Sequence, residues 1–248
     1  MHENIIFSKK YKGNGEEFSI NKREIWRYAG YSSVATEIPQ ELQTILETVI
    51  QELNNAFSYQ VCYRRMKVGW SKANHFCKES ATEGTIPISN LPFLAQSKDL
   101  AKCLKGSEEI ILFAATIGLE TDRYIAKYQR ISPTKAILLQ AYGAERIERL
   151  CDVFCKEIKE EVKKEGFSCT ARFSPGYGDL PLEVQTQFFQ LLDCQRQIGL
   201  TLNDSLLMTP SKSVTAVFGI GACVNNEKEH KCDTCKKTNC QYRKAEIL

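Results

Sequence analysis

The chain lacks a strong charge of either sign: 33 lysines and arginines face 30 aspartates and glutamates, leaving a formal +3. So small an excess gives no reason to expect nucleic acid as the main partner. A long apolar run is missing too. Nothing approaches the roughly 20 residues that a bilayer span requires, so no membrane partner is expected. The start, M-H-E-N-I-I-F-S-K-K, has no apolar core of the signal-peptide kind, and export is not expected. Internal repeats and low-complexity stretches are absent. The Gly219-Ile-Gly221 pair is followed by no helix with a third glycine, which excludes a dinucleotide fingerprint. Cysteine, by contrast, is plentiful. The 11 cysteines are odd in number and scattered through helix-like and strand-like segments, unlike a secreted disulfide framework, and a reducing cytoplasm suits them.

What remains is ordinary globular composition, 43% hydrophobic and 25% charged over 248 residues, enough for a real core. Residues 1–20 read as an edge strand or arm. A short helix begins at an Asn21 cap and ends at Ala29-Gly30. A longer helix starts at Ile38-Pro39, with Leu42, Ile45, Leu46, Val49, Ile50 and Leu53 at three- and four-residue steps. Tyr59 to Val68 alternates as a strand. Residues 84–88, 97–104 and 108–116 read as a strand, a short helix and a buried strand. Ser132-Pro133 opens the longest helix, which ends near Gly166 and carries the stripe Ile147, Leu150, Cys151, Phe154, Ile158 and Val162. Val184 to Ile198 is another amphipathic helix, stopped by Gly199, and Ser213 to Ile220 a last strand. Helices and strands mix without a βαβ rhythm, so the fold class is α+β with a mostly antiparallel or mixed sheet flanked by helices. The division expected is a domain over 1–221 and a cysteine-rich tail over 222–248.

The most informative stretch is F-S-C-T-A-R-F-S-P-G-Y-G-D-L-P, Phe167 to Pro181. Its first half alternates with the period of a half-buried strand, which puts Arg172 and Ser174 on one face and Phe167, Cys169, Ala171 and Phe173 on the other. Pro175-Gly176-Tyr177-Gly178 then forces a sharp turn. Asp179 is placed to cap the following helix, with Pro181 near its first turn. A guanidinium beside exposed backbone at a tight corner suits a small anionic or zwitterionic ligand. The same pattern also serves elsewhere as a plain connection with a solvated arginine.

The string R-F-S-P-G-Y-G resembles the S-adenosylmethionine-binding Arg-x-x-x-Gly-Tyr motif of the reactivation domain of cobalamin-dependent methionine synthase. A looser likeness runs from mid-chain to Gly221 through E-R-L-C-D-V-F and T-P-S-K-S-V-T-A-V-F-G-I-G. The resemblance implies a twisted sheet flanked by helices. It implies that Arg172 forks onto the ligand carboxylate, which lysine cannot imitate. Backbone at Ser174 and Gly176 would reach the adenosine, and the Tyr177 ring would pack on the ligand. Asp152 falls where the family holds the ligand's amino group, with Glu148 one helical turn away; two carboxylates on a helix flank are otherwise commonly just solvated. The family's upstream aspartate and its tyrosines after the last strand have no placed counterpart here; Phe218 and the cysteine tail occupy the region of the tyrosines. The methyl acceptor would be cobalamin held by a partner, a methionine synthase core or related corrinoid protein, with an electron from a donor such as flavodoxin or ferredoxin. No cobalamin-binding D-x-H-x-x-G string is present, so action in trans is expected. The alternative is an interaction module that docks a partner without binding S-adenosylmethionine.

That alternative leans on the tail. Cys223, Cys232, Cys235 and Cys240 offer four thiolates in a segment too polar to fold by burial, and zinc or an iron–sulfur cluster would supply the missing stabilisation. His230 is a substitute for Cys223. Reduced thiols in a flexible tail are the competing reading. The remaining cysteines are expected as small core residues.

Overall fold

The computed structural model describes residues 5–31, 37–68 and 91–222. Its central strand is β3, Glu109–Thr116, in which every residue from Ile110 onward is buried. Successive rather than alternate positions are apolar there, the pattern of a strand covered on both faces. β3 pairs with β2 (Tyr59–Lys67) on one side and β7 (Ser213–Gly221) on the other. β1 (Phe7–Tyr11) and β4 (Ser168–Cys169) form the two edges, giving the order β1-β2-β3-β7-β4. Every pairing is antiparallel, so the sheet takes the antiparallel form of the expected fold.

One face of the sheet lies under α5, Pro133–Lys164, a helix of 32 residues. Its predicted stripe holds: Leu150, Cys151, Phe154 and Val162 sit against Val61, Phe113 and Phe218. The opposite face is covered by α3 (Lys98–Cys103), α6 (Val184–Leu192) and α7 (Cys194–Ile198), packed on Cys62, Met66, Leu112 and Val217. A third cluster lies around the first half of α5, where α1 (Lys22–Tyr28) and α2 (Gln40–Leu53) bury Ile25, Leu46, Val49 and Leu53 against Leu138, Leu139 and Tyr142. The Asn21 side chain caps α1 by accepting from the Glu24 amide (3.2 Å), as the sequence predicts. The thiols of Cys62, Cys151, Cys169 and Cys194 are buried, while Cys103 and Cys155 are half-buried.

The polypeptide before α2 is fixed to α5 by a buried ion pair. Arg146 is 1% exposed and Glu145 4%. Arg146 donates to Glu145 and to the carbonyls of Phe18 (2.6 Å) and Ser19 (3.1 Å), while Glu145 accepts from the Asn21 amide (3.1 Å). Both charges are thereby paired and hydrogen-bonded, the condition for burying them.

One expectation changes, and two features are found where none was expected. The amphipathic run Val184 to Ile198 is two helices, because Asp193 adopts a left-handed conformation (φ 47°) that no continuous helix accommodates. The helix α4, Glu120–Tyr128, is unmarked in the sequence pattern; Leu119 stands at its start and supplies no capping side chain. Two short strands, β5 (Thr201–Leu202) and β6 (Met208–Thr209), form a separate hairpin between α7 and β7. The strand expected over 84–88 lies outside the described residues.

Candidate functional site

The stretch Phe167 to Ser174 is a strand for only two residues, and the interruption decides where Arg172 points. Ser168 and Cys169 pair with Gly221 and Ile220, but the next bridge joins Phe173, not Arg172, to Val217. One extra residue has entered at Ala171-Arg172, a β-bulge. The Thr170 hydroxyl supports it by accepting from the Gly219 amide (2.9 Å) and donating to the Ala171 carbonyl (3.0 Å). Uninterrupted alternation would group Phe173 with Cys169. Instead Cys169 packs in the layer beneath α5 and Phe173 in the layer beneath α6 and α7. The bulge reverses the facing of the residues after it and aims Arg172 at α5.

There the guanidinium lies between the two carboxylates singled out in the sequence. One terminal nitrogen donates to Asp152 Oδ1 (2.9 Å) and the other to Glu148 Oε2. Arg172 is mostly covered, 24% of its side chain exposed, while Glu148 and Asp152 reach solvent with 42% and 62%. Burial alone would lower the Arg172 pKa. The facing Cys151, Glu148, Asp152 and Cys155 more than offset that, and the guanidinium is held above its ordinary value. Burial pushes the Cys155 thiol up to about 11, although Arg172 pulls the other way, so it remains neutral beside the cluster. Glu148, Asp152 and Cys155 stand four and three residues apart on one face of α5.

The turn follows directly. Pro175 and Leu180 are buried, whereas Tyr177 is 65% exposed. The Gly176 amide donates to the Leu180 carbonyl (2.9 Å) and the Tyr177 amide to the Ser174 carbonyl (3.1 Å). These two backbone groups of the expected adenosine-contacting pair are therefore engaged inside the turn. Gly176 and Gly178 both have positive φ (84° and 54°), the conformations that favour glycine. Asp179 does not cap the helix after the turn. Its carboxylate accepts instead from the Ser97 hydroxyl, the Lys98 amide (2.8 Å) and the Asp99 amide (3.2 Å), at the start of α3. α6 begins at Val184 without a side-chain cap, too far along the chain for Asp179 to reach its first turn. The Ser97 hydroxyl foremost, then the two amides, hold the Asp179 carboxyl below its ordinary value.

Two neighbours were not read as part of the site. Cys155 was expected as a small core residue on the apolar side of the long helix, but is half-buried beside the cluster. Tyr28 at the end of α1 was not legible as a neighbour, because only tertiary packing brings it near Glu148; burial first, and then that carboxylate, push its hydroxyl up to about 12.

The fold and cluster define a class before they define a family: an α+β protein whose antiparallel sheet offers an arginine fork, flanked by carboxylates, beside a glycine turn. The family model described as the vitamin B12 dependent methionine synthase activation domain matches residues 91–245, more than half of the chain. The chain belongs to that family. Among solved structures, the MetH reactivation domain bound to AdoHcy matches with a TM-score of 0.54, covering 88% of this chain and 79% of that one at 14% identity. At that identity the likeness concerns the fold. No curated protein matches. Residues 5–68 precede the family match yet supply two of the five strands, β1 and β2.

Cys223, Cys232, Cys235, Cys240 and His230 lie outside the described residues. Among the described residues no cluster of three or more histidine, cysteine or acidic side chains is arranged to hold a metal. No helix among them is long and apolar enough to cross a membrane.

Proposed function

We propose that this protein binds S-adenosylmethionine and presents its methyl group to cobalamin carried by a methionine synthase core or related corrinoid protein, acting in trans during reductive reactivation. The observation that carries the reading is Arg172 set between Glu148 and Asp152 at the edge of a glycine turn. An α-amino acid ends in one carboxylate and one ammonium. A forked cation and two partly exposed carboxylates are the complement of that pair. Arg172 has five N–H donors, so it can keep a bond to α5 while forking onto a ligand carboxylate. Glu148 and Asp152 then accept from the ammonium. Exposed Tyr177 offers a ring face on the open side of the turn.

No general base is required on this chain, because the methyl group already sits on a good leaving group. The corrinoid supplies the nucleophile, and an electron donor of the flavodoxin or ferredoxin kind supplies the electron. This chain's residues bind, orient and shield. AdoHcy, which the fold relative holds, is what S-adenosylmethionine becomes once its methyl group is given up. The tail thiolates Cys223, Cys232, Cys235 and Cys240 form a donor set whose chemistry fits zinc or an iron–sulfur cluster. Metal analysis of anaerobically purified protein tests that point separately.

The decisive experiment is calorimetric titration with S-adenosylmethionine. Saturable binding is expected for the native protein. Arg172→Ala should weaken it about 10- to 100-fold, since a hydrogen bond to a charged group is worth about 1.5–3 kcal/mol. Equal affinity in the two proteins would remove Arg172 from the site.

A further inference from the structure

The two halves of the ligand motif, Arg172 and the Gly176-Tyr177 turn, are joined through Phe173, which exchanges two ladder hydrogen bonds with Val217 (2.8 Å each); the bulge lies before this pair and the turn after it. Both touch α3. At the helix start, the Asp179 carboxylate accepts from Ser97 Oγ and from the Lys98 and Asp99 amides, beyond the turn's C-terminal end. At the other end of α3, the Cys103 thiol donates to the Ala171 carbonyl (3.3 Å), one residue before Arg172. Between these anchorages the turn presses close on the helix. A Cβ added to Gly178 would meet the Asp99 carboxylate, which places the turn against the first turn of the helix. Ser97 also caps the helix from within, accepting from the Leu100 amide (2.9 Å), and Asp179 thus completes a cap shared across the chain. The helix that follows Asp179 in sequence makes no use of it.

We propose that α3 is a brace that fixes the separation of Arg172 from the Gly176-Tyr177 turn, with Asp179 as its positioning residue. This rests on the methyl-donor reading of the site. Asp179 touches no ligand itself; it acts by keeping the guanidinium and the turn at one spacing, so that both ends of the ligand are met at once. Loss of the clasp releases the turn from α3 and leaves Arg172 correctly paired on α5 but poorly placed relative to Tyr177.

The test compares two carboxylate clasps of the same kind. Asp122 accepts from the Ser211 hydroxyl and amide (2.9 Å), at the opposite end of β7 from the motif. Full-length Asp179→Ala and Asp122→Ala are titrated with S-adenosylmethionine below their melting temperatures, beside the native protein. Both variants are expected to melt earlier, but only Asp179→Ala should lose affinity, by at least tenfold, with Asp122→Ala within twofold of native. Asp179→Asn keeps one acceptor and the side-chain volume, and should lose several-fold; it carries the comparison if the alanine variant does not fold. Native affinity in both Asp179 variants, while the native protein binds, overturns the brace and leaves the site standing. An equal loss in Asp122→Ala also overturns it, by reducing the effect to general stability. Absence of saturable binding to the native protein overturns the site reading and the brace together.

Discussion

Arg172 is the residue on which the proposed site turns, and its setting makes its charge and its shape separately testable. Glu148 and Asp152 neutralise it in the protein alone, so a ligand carboxylate competes with carboxylates already in place. A lysine would keep the positive charge but present a single ammonium in place of a planar fork. Arg172→Lys is therefore expected to bind S-adenosylmethionine about tenfold more weakly than native protein, equivalent to ~1.4 kcal/mol, measured by the same calorimetry. Cys155 gives a second readout at this scale. Its pKa, pushed up to about 11 by burial, means that the thiolate is scarce at neutral pH in spite of the arginine beside it. Alkylation of Cys155 by iodoacetamide, followed by mass spectrometry, should be slow at pH 8 and should still be accelerating above pH 9. A plateau near pH 8 would show a thiol activated by Arg172 and would contradict this electrostatic picture.

Among elements, the long helices and central strands were readable, and the edge strand β1 lies inside the arm or edge strand expected over residues 1–20, whereas α4, the break between α6 and α7 and the bulge were not. The α5 stripe and the unbroken apolar run of β3 announce themselves because burial against a broad surface imposes a period on the sequence. The bulge at Ala171-Arg172 leaves no such period. A strand of this length alternates equally well with or without one extra residue, and Thr170 looks like any strand threonine until its hydroxyl is seen to accept from Gly219. The partner of Asp179 was likewise hidden, since a capping residue is identified by the helix next to it in sequence and this one caps a helix some 80 residues earlier. The edge strand β1 depends on a local clasp. Glu157 of α5 accepts from Lys9 (2.8 Å) and from the Tyr11 hydroxyl (2.7 Å). Burial would raise the Glu157 pKa, but those two donors lower it below its ordinary 4.5. A carboxyl depressed in the folded state contributes stability that is complete above its unfolded pKa and is lost as pH falls through the folded one. Glu157→Gln should thus cost about 1 kcal/mol at pH 7, a modest figure because the group is 39% exposed, with the difference from native shrinking below pH 4.5. Urea unfolding at pH 7 and pH 3.5 measures both values; an unchanged difference would mean that Glu157 is not the titrating clasp.

For the molecule as a whole, the question is what the segment before the family match contributes. β1 and β2 complete the sheet on one side of β3, and without them an apolar, fully buried strand would become an open edge. The same segment is tied to α5 through Arg146 and Glu145, whose bonds to Phe18, Ser19 and Asn21 hold the chain just ahead of α1. α5 in turn carries Glu148 one turn further on, so the N-terminal segment and the candidate site share one helix. Removing one member of a buried, hydrogen-bonded ion pair strands the other in an apolar setting at a cost of about 3–5 kcal/mol. Arg146→Ala should therefore lower stability by about that amount, leaving Glu145 unpaired and the Phe18 and Ser19 carbonyls without their donor. Arg146→Met together with Glu145→Leu removes both charges at similar volume, and should recover a large part of the loss, because the orphaned carboxylate is the costliest consequence of the single change. Denaturant melts of the native protein, the single variant and the double variant decide the matter. If the double variant is as unstable as the single one, the pair's hold on residues 18–21 outweighs the cost of isolating its charge.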